Sequence, residues 1–485
     1  MMTRNSSGSE QAERVLAAVS VCTILVVGFV ASINLAAPKI ASGSLHPSSA
    51  QLLWIVDAYV VFFACLVIPA GAVGDRFGRK RVVLAGLVTF AAGAAVSAAA
   101  PTVAVMLIGR AVTGVGAAMV LPNGLALLIH ATAPAQRPKA IAVWAAMTGV
   151  GGVVGNIGGG AVLAAGSWRW LFVAVVPIAL AAAGWLAVVA PVTDTRDEPL
   201  NLKTAALLTA ATVALLLGII EGPQHGWDSA AVVGAFIAAV LLLAMWAVSE
   251  LRAAHPMLDP RLFAIPALRS ASLGMMVLFF GLFGLFYLNA SLMQYGRGFS
   301  TLQTGFAVIP LSLPLLIGAR FVPGLAARLG APVTLGAAFV VTSVGLFGLG
   351  TAINDRYLIY AAWLVLIGIG IALGLPALTG TITASIPPEQ AGVAGGLQST
   401  TRELGSALGV AVIGTLTAAQ FGNNLHTHTS RTVAQVLAAA HGNSGIVLQA
   451  YTDAGATTLK IVAVVVLIAG ILVATESVWS AKPRG

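Results

Sequence analysis

The sequence contains few charged residues. Only 8% of its 485 residues are Asp, Glu, Lys or Arg, whereas 58% are hydrophobic. Soluble domains carry about 25% charged residues, so this chain could not cover a water-facing surface. The high hydrophobic content also excludes an intrinsically disordered chain. We therefore predict an all-α polytopic membrane protein.

Cysteines and ligand-binding motifs are also scarce. The two cysteines, Cys22 and Cys65, lie in hydrophobic runs, where a structural disulfide is not expected. The sequence has no G-x-x-x-x-G-K-[ST] loop, which argues against direct use of ATP. Among the histidines, His426 and His428 alone would make a poor metal site. We expect no metal, no bound cofactor and no enzymatic activity.

Hydrophobic runs of helical length are abundant. They lack the alternation of β-barrel strands, and each is close to the roughly 17–25 residues that cross a bilayer as a helix. We predict 14 spans, at residues 15–37, 51–73, 82–100, 103–129, 140–164, 169–190, 203–221, 229–249, 270–294, 304–326, 332–352, 357–380, 392–419 and 457–478. The first run is too long for the apolar part of a signal peptide, so we interpret it as a span.

Lys and Arg are distributed unevenly between the two sides of these spans. If the N-terminus is cytoplasmic, 16 of the 25 lie in inner segments, 6 in outer segments and 3 within spans. The positive-inside rule then places both termini in the cytoplasm, with the chain in the cell membrane. The net charge of +9 therefore reflects topology, and we expect no nucleic-acid partner.

The chain contains an internal repeat. Four residues of the fourth span reappear 254 positions later in the twelfth: Gly114, Gly116, Leu121 and Pro122 match Gly368, Gly370, Leu375 and Pro376. Such a repeat indicates two duplicated halves. We predict a six-helix bundle at residues 1–200, an inserted helix pair at 201–265 and a second six-helix bundle at 266–485. Residues 420–455 are predicted as an outer loop with a short interfacial helix at 433–440.

Ionisable residues within the spans are functional candidates, because a charge inside a bilayer is costly. Asp57 and Arg110 lie about seven and eight residues from the outer ends of their spans, and hence at similar depth. We hypothesise that Asp57 exchanges a proton for substrate and that Arg110, paired with it in one state, modulates its affinity for that proton. The alternative is a static pair that only fixes helix packing.

Two further acids are candidates for proton coupling. Glu221 ends the seventh span and is either a proton site or a solvated group at the outer interface. Glu403, beside Arg402 in the thirteenth span, is either a second proton site or a structural hydrogen-bonding group. Adjacent helical residues point about 100° apart, so Arg402 and Glu403 need not pair with each other.

Polar and aromatic residues in the spans suggest a substrate pocket. Asn34, Trp54 and Asn289 are the candidates for lining it. With Asp57 as a buried anion, such a pocket would favour amphipathic cations. The alternative for each residue is an interhelical hydrogen bond or an anchor at the membrane interface.

Four sequence motifs carry a family resemblance. They are GAVGDRFGRKR at 71–81, LIGRAVTGVGAA at 107–118, WIVDAY at 54–59 and WRWLF at 168–172. In this order and at these positions they resemble the major facilitator superfamily, and specifically its fourteen-helix drug:proton antiporters. The first motif matches the loop pattern G-x-L-x-D-R-x-G-R-[RK] between spans two and three. Its residues Gly71, Asp75, Arg76, Gly78 and Arg79 are candidates for a conformational latch, with a charge cluster that only sets topology as the alternative.

Two positions depart from the family pattern. The family usually carries an acid in the first span where this chain has Phe29, which removes one potential proton carrier. The fifth-span antiporter motif reads Gly151-x-x-x-Gly155-Asn156-x-x-Gly159-Gly160, with Asn156 in place of the usual Pro. The glycines still allow close helix packing.

These observations predict a secondary exporter that uses inward proton flow to expel hydrophobic, cationic drugs or antibiotics by alternating access. Its partners would be a small hydrophobic substrate, protons and the lipid bilayer, and we expect a monomer. One alternative is a dedicated exporter of a single endogenous metabolite or antibiotic. Another, of a different class, is a membrane sensor or scaffold that transports nothing.

Overall fold

Helices form nearly all of the computed structural model, which describes residues 2–192, 202–253, 256, 259–386, 391–426, 431–440 and 444–481. The α-helices in chain order are α1 (Met2–Ala41), α2 (Ser49–Phe77), α3 (Arg79–Ala99), α4 (Val103–Ala131), α5 (Arg137–Ala165), α6 (Arg169–Val189), α7 (Leu202–His225), α8 (Ala230–Arg252), α9 (Pro266–Ser291), α10 (Thr301–Phe306), α11 (Ile309–Leu329), α12 (Ala331–Thr351), α13 (Tyr357–Ala384), α14 (Ala391–Asn424), α15 (Val433–Ala439) and α16 (Ser444–Ala481). A π-helical turn, Leu292–Gly296, extends α9.

The predicted spans all fall on these helices. Within the described ranges, 13 helices are long and apolar enough to cross a bilayer. The tenth predicted span is divided between α10 and α11, and only a shorter apolar helix, Thr301–Leu315, is recognised there. The architecture is that of a fourteen-helix membrane protein, as the sequence predicted.

The predicted outer loop at 420–455 is too long. α14 continues to Asn424 and α16 already begins at Ser444. The polar ends of these helices are stable because they pack on each other: Asn424 donates a hydrogen bond to the Ala450 carbonyl (2.9 Å), and the ring of Phe421 meets that of Tyr451 edge-on. The short helix expected at 433–440 is α15, which begins with a capping box.

Buried apolar side chains form two cores. The first lies mainly among α1–α6 and the second among α9–α16. α14 joins them, because it packs closely on α9 while its residues Ala407, Val410 and Ala411 belong to the first core. The main contacts between the halves are thus α2 with α14 and α5 with α10.

The helices α7 and α8 lie beside these cores. α7 packs on α2 and α14, whereas α8 packs mainly on α7. The buried residues of α8 are Val232, Ala239 and Glu250, and large apolar side chains such as Val240 and Leu241 are exposed. In a bilayer these exposed side chains would face lipid.

The close helix contacts recur in the two halves at the spacing of the sequence repeat. A Cβ atom added at Gly114 would lie 2.4 Å from the carbonyl oxygen of Tyr59, so α4 can approach α2 this closely only with glycine there. The equivalent Gly368 brings α13 equally close to α11, where a Cβ would lie 2.3 Å from the oxygen of Leu311. The two halves therefore repeat the close backbone contact between these helices as well as the sequence motif.

Candidate functional site

The glycines of the fifth-span motif bring α5 against α1. A Cβ atom at Gly155 would lie 2.1 Å from the carbonyl oxygen of Gly28. The hydroxyl of Ser32 lies 2.7 Å from the oxygen of Gly155 and 2.8 Å from that of Gly28, so it can donate to either. Gly159 faces the same Ser32 side chain, and Gly151 faces the backbone of Ile24. This stripe fixes α1 and α5 as a unit.

The end of the same motif contacts the other half. A Cβ atom at Gly160 would lie 2.8 Å from the carbonyl oxygen of Thr301 at the start of α10, and the Thr301 hydroxyl donates to the Gly160 carbonyl (3.2 Å). Asn156 donates to the Gly152 carbonyl one turn earlier (2.9 Å), and its own carbonyl oxygen would lie 2.4 Å from a Cβ at Gly305. The motif therefore lies at a contact between the halves.

Arg110 is fully buried and is bound to the backbone of α2. Its Nε donates to the carbonyl of Ile55 (2.9 Å) and its Nη2 to that of Val56 (3.2 Å). The guanidinium also lies over the rings of Phe29 and Tyr59, with Cζ 5.2 Å and 4.8 Å from the ring centroids. Two carbonyls and two aromatic faces thus stabilise this positive charge, while Nη1 has no hydrogen-bond partner among the described groups.

Asp57 lies next to this cluster and is also fully buried. No ion pair joins Arg110 to Asp57 in the described part of the chain, so this conformation is not the paired state, and the pairing in another state stays a prediction. Both carboxylate oxygens of Asp57 lack a hydrogen-bond partner there. The physical reason is that the guanidinium of Arg110 binds the two carbonyls that precede Asp57 on α2.

In α14, Arg402 and Glu403 pair directly, although their adjacency on a helix did not require it. The Nε of Arg402 donates to Oε1 of Glu403 at 2.9 Å, because the long arginine side chain bends towards its neighbour. Arg402 also lies over the ring of Phe279, 5.6 Å from its centroid.

Glu221 lies at the end of α7 and is partly exposed. Its Oε2 is 3.3 Å from Nδ1 of His225 one turn later, an ion pair only when that histidine is protonated. Nothing in the described contacts links Glu221 to Asp57. The geometry resembles the solvated alternative more closely than the proton site.

The three predicted substrate residues have separate surroundings in the described structure. Asn34 is buried on α1, where its side-chain nitrogen donates to the Val30 carbonyl (3.1 Å) and its oxygen has no partner among the described groups. Trp54 packs against the first core. Asn289 lies in the second half, where its side-chain oxygen accepts a 2.7 Å hydrogen bond from the hydroxyl of Tyr360.

A partly open cavity of about 50 Å³ lies between the halves. It is at the end of the bundle that holds the α1–α2 connection, which we call the outer end. Its described lining does not include Asn34, Trp54 or Asn289. It is aromatic and hydroxyl-bearing, with side chains from both halves: Leu53, Tyr287, Tyr295, Thr417, Phe421 and Tyr451. The sequence interpretation did not select these residues, because no local pattern distinguishes a cavity tyrosine from an interfacial one.

Hydrogen bonds close the outer end across the two halves. Gln294, in the π-helical turn, donates to the carbonyl of Leu35 (3.0 Å), and the Tyr295 hydroxyl donates to that of Pro38 (3.1 Å). Gln435 of α15 donates to the Pro47 carbonyl (3.1 Å) in the same region. These bonds would have to break for a substrate to leave by this end.

The predicted latch lies where α2 ends and α3 begins, on the side of the bundle away from the outer end. Asp75 and Arg79 form a 2.5 Å ion pair on either side of Gly78, whose φ of +90° suits glycine. Arg76 lies over the ring of Phe77 at 5.7 Å, and a Cβ at Gly71 would meet no atom within 4 Å. The acid therefore joins the end of one helix to the start of the next.

The WRWLF motif closes an outer corner of the first half. Arg169 lies over the ring of Trp168 (4.2 Å) and donates to the carbonyl of Ala100, the residue that follows α3 (2.7 Å). It also donates to the hydroxyl of Ser44 (3.1 Å). This motif is structural in the described contacts.

Comparison with known proteins agrees with this geometry. The sequence pattern of the Major Facilitator Superfamily matches residues 19–410. The chain is 31% identical to the tetracenomycin C resistance and export protein of Streptomyces glaucescens over 84% of its length and 76% of that protein. It is also 31% identical to the multidrug efflux pump LfrA of Mycolicibacterium smegmatis, over 84% of this chain and 82% of that one.

Solved structures show the same fold. A bacterial homologue of the human lysosomal transporter Spinster, in an inward-facing and unoccupied conformation, superposes with a TM-score of 0.73 at 16% identity, covering 98% of this chain and 99% of that one. The fold and the matched sequence pattern indicate the same family. The chain belongs to the Major Facilitator Superfamily.

Proposed function

We propose that this protein is a secondary exporter that exchanges protons for hydrophobic, cationic drugs or antibiotics. The observation that carries the proposal is the carboxylate of Asp57, fully buried and without a hydrogen-bond donor in the described structure. Relatives whose names state multidrug efflux or antibiotic export support the direction of transport. The energy would come from the proton gradient, with no cofactor and no chemical change to the substrate.

The chemistry of antiport follows from this carboxylate. A buried carboxylate without a donor is stable only with a proton on it or a cation beside it. A proton and a cationic substrate are therefore alternative partners for Asp57, and binding of one favours release of the other. Glu403 is the candidate for a second site, and its pairing with Arg402 makes it less available in this conformation.

Alternating access would move the two halves about this site. The hydrogen bonds from Gln294 and Tyr295 to α1 close the outer end here, so the outward-opening step would break them. The distribution of Lys and Arg supports cytoplasmic termini, which would place the Asp75–Arg79 pair on the cytoplasmic side. We propose a monomer as the working unit, since each half already has its own core.

A growth test separates transport from other roles. The chain would be expressed in a bacterium lacking its own exporters, and minimal inhibitory concentrations would be measured for a panel of cationic and neutral drugs, with and without a protonophore. Broad protection against cations that the protonophore abolishes is the expected result. Absence of any protection at normal membrane expression would favour the sensor or scaffold.

A proteoliposome test addresses the proton. Addition of a cationic substrate to the wild-type protein should release protons, and Asp57→Asn should abolish that release. Glu221→Gln is the matched control and should release protons as the wild type does, because Glu221 is partly exposed and lies beside His225. Persistent proton release by Asp57→Asn would refute the coupling role of Asp57.

A dedicated antibiotic exporter is the second candidate. It is favoured by relatives named for one compound, including the cephamycin export protein CmcT of Amycolatopsis lactamdurans, which is 33% identical over 83% of this chain and 84% of that one. Protection against a single compound in the same panel would support this reading.

A further inference from the structure

We propose that Phe29 and Tyr59 are positioning residues that hold the guanidinium of Arg110 on the backbone of α2 and so keep Asp57 free of a salt bridge. The inference deepens the proposed proton exchange at Asp57 and rests on it. It assigns a role to Phe29, which the sequence analysis noted only because it replaces the acid that the family usually carries there.

The rings and the carbonyls together bind the guanidinium from several directions. Phe29 comes from α1 and Tyr59 from α2, and both lie within 5.2 Å of Cζ of Arg110. Nε and Nη2 are used by the carbonyls of Ile55 and Val56. These contacts stabilise the guanidinium without a carboxylate. Nη1 has no partner in the described structure, so it would be available to pair with Asp57 once a ring is removed.

The rings are themselves held in place. Phe29 meets the rings of Tyr59, Phe90 and Phe172 edge-on, with centroids 6.1, 5.5 and 5.6 Å away. Tyr59 donates its hydroxyl to the Val26 carbonyl (3.3 Å) and is fully buried. Neither ring can turn aside without disturbing a packed core, so the position of Arg110 is fixed from α1 as well as from α2.

Arg110 is the cation that the rings must restrain. It lies within electrostatic range of Asp57, as does Tyr287 of α9. On α14, Arg402 is already paired with Glu403. If Arg110 left the two carbonyls, it could pair with the buried carboxylate of Asp57, the residue that follows Val56 on α2. A closed Asp57–Arg110 pair would then oppose both protonation and cation binding at Asp57.

The test uses dicyclohexylcarbodiimide, which reacts with protonated carboxyl groups in apolar surroundings. The full-length protein in proteoliposomes is treated, and mass spectrometry measures the adduct on the peptide that carries Asp57. We expect clear labelling of the wild type and at least a fivefold loss in Phe29→Leu, because Arg110 would then pair with Asp57. Phe29→Tyr keeps a ring over Arg110 and should restore wild-type labelling.

Controls separate this effect from loosened packing. Phe172→Leu removes one ring that touches Phe29 and is not among the rings that lie over Arg110. Tyr59 and Phe90 still hold Phe29, so labelling should stay at the wild-type level. Tyr59→Leu removes the other ring and should lose labelling as Phe29→Leu does, which provides a second test if Phe29→Leu fails to fold. Asp57→Asn gives the background level of the carbodiimide adduct on this peptide.

Wild-type labelling in both Phe29→Leu and Tyr59→Leu would overturn the inference, as would an equal loss in Phe172→Leu. The reaction does not require transport, so this outcome is distinct from failure of the proposed function. That failure would appear as proton release by Asp57→Asn while the carbodiimide results remained as expected.

Discussion

The two halves of the molecule share one backbone packing but differ in where they place charge. In the first half, Asp57 and Arg110 lie in the α2–α4 contact, whereas the equivalent positions of the second half, 252 and 254 residues later, are Ile309 and Leu364. Leu364 is buried as Arg110 is, and the helices approach equally closely. The fold therefore does not need charge at this contact.

This comparison weakens the static-pair alternative for Asp57 and Arg110. A pair that only fixed packing would be expected to form a salt bridge, and none is present between these residues in the described structure. The second half packs the same contact with apolar side chains. Residues that are costly to bury and unnecessary for packing are candidates for function.

The largest effect should follow from making the first half resemble the second. The double variant Asp57→Ile with Arg110→Leu replaces the two buried charges by the residues of the second half. We expect a folded protein with a melting temperature at or above that of the wild type, because buried charges are often replaced by apolar groups without loss of stability. Drug-driven proton release in proteoliposomes should be absent. An active double variant would show that the charges are dispensable.

The next effect tests the shared packing. Gly155 on α5 and Gly409 on α14 occupy equivalent positions, and a Cβ at either would lie 2.1 or 2.2 Å from a facing carbonyl oxygen. Leucine at either position should separate the helices and remove most folded protein, as measured by gel filtration in detergent. Gly184→Leu is the control, since a Cβ there meets nothing within 4 Å. If leucine were tolerated at only one of Gly155 and Gly409, the two helix contacts would not be equivalent.

The third effect concerns the charged pair of the second half. Arg402→Met should leave Glu403 buried without its partner and destabilise the protein by about 3 kcal/mol. Adding Glu403→Gln should recover most of that stability, because the uncompensated charge is removed. Thermal unfolding of the single and double variants measures both. A single variant as stable as the wild type would mean that the pair adds nothing to the fold.

The sequence predicted the helices and their order because long apolar runs and repeated glycines are strong local signals. It predicted the burial of Asp57 and Arg110 for the same reason. It could not predict the partner of Arg110, because that depends on the distance from α4 to the carbonyls of α2 and to Phe29 on α1. The pairing of Arg402 with Glu403 likewise depends on a side-chain rotamer, which helix geometry alone leaves open.

The ends of the helices show a second limit. Hydropathy ends the thirteenth span near 419 and begins the last at 457, because residues between them are polar. The structure continues both helices through Asn424 and from Ser444, since their polar side chains bond to the neighbouring helix. Contacts between distant segments decide such boundaries, and they cannot be read from a local average.

The smallest effect distinguishes the two helix turns. Gly78 and Gly330 both have positive φ, +90° and +79°, so the turn itself is repeated, but by sequence Ala327 and Ala331 replace the Asp75–Arg79 pair in the second half. The pair is about one-third exposed, so Asp75→Asn should change stability by less than about 1 kcal/mol. If the pair is a latch, drug export should nevertheless fall several-fold at unchanged surface expression. Undiminished export would mean that the Asp75–Arg79 pair is not a latch and that these charges only set the topology of the chain.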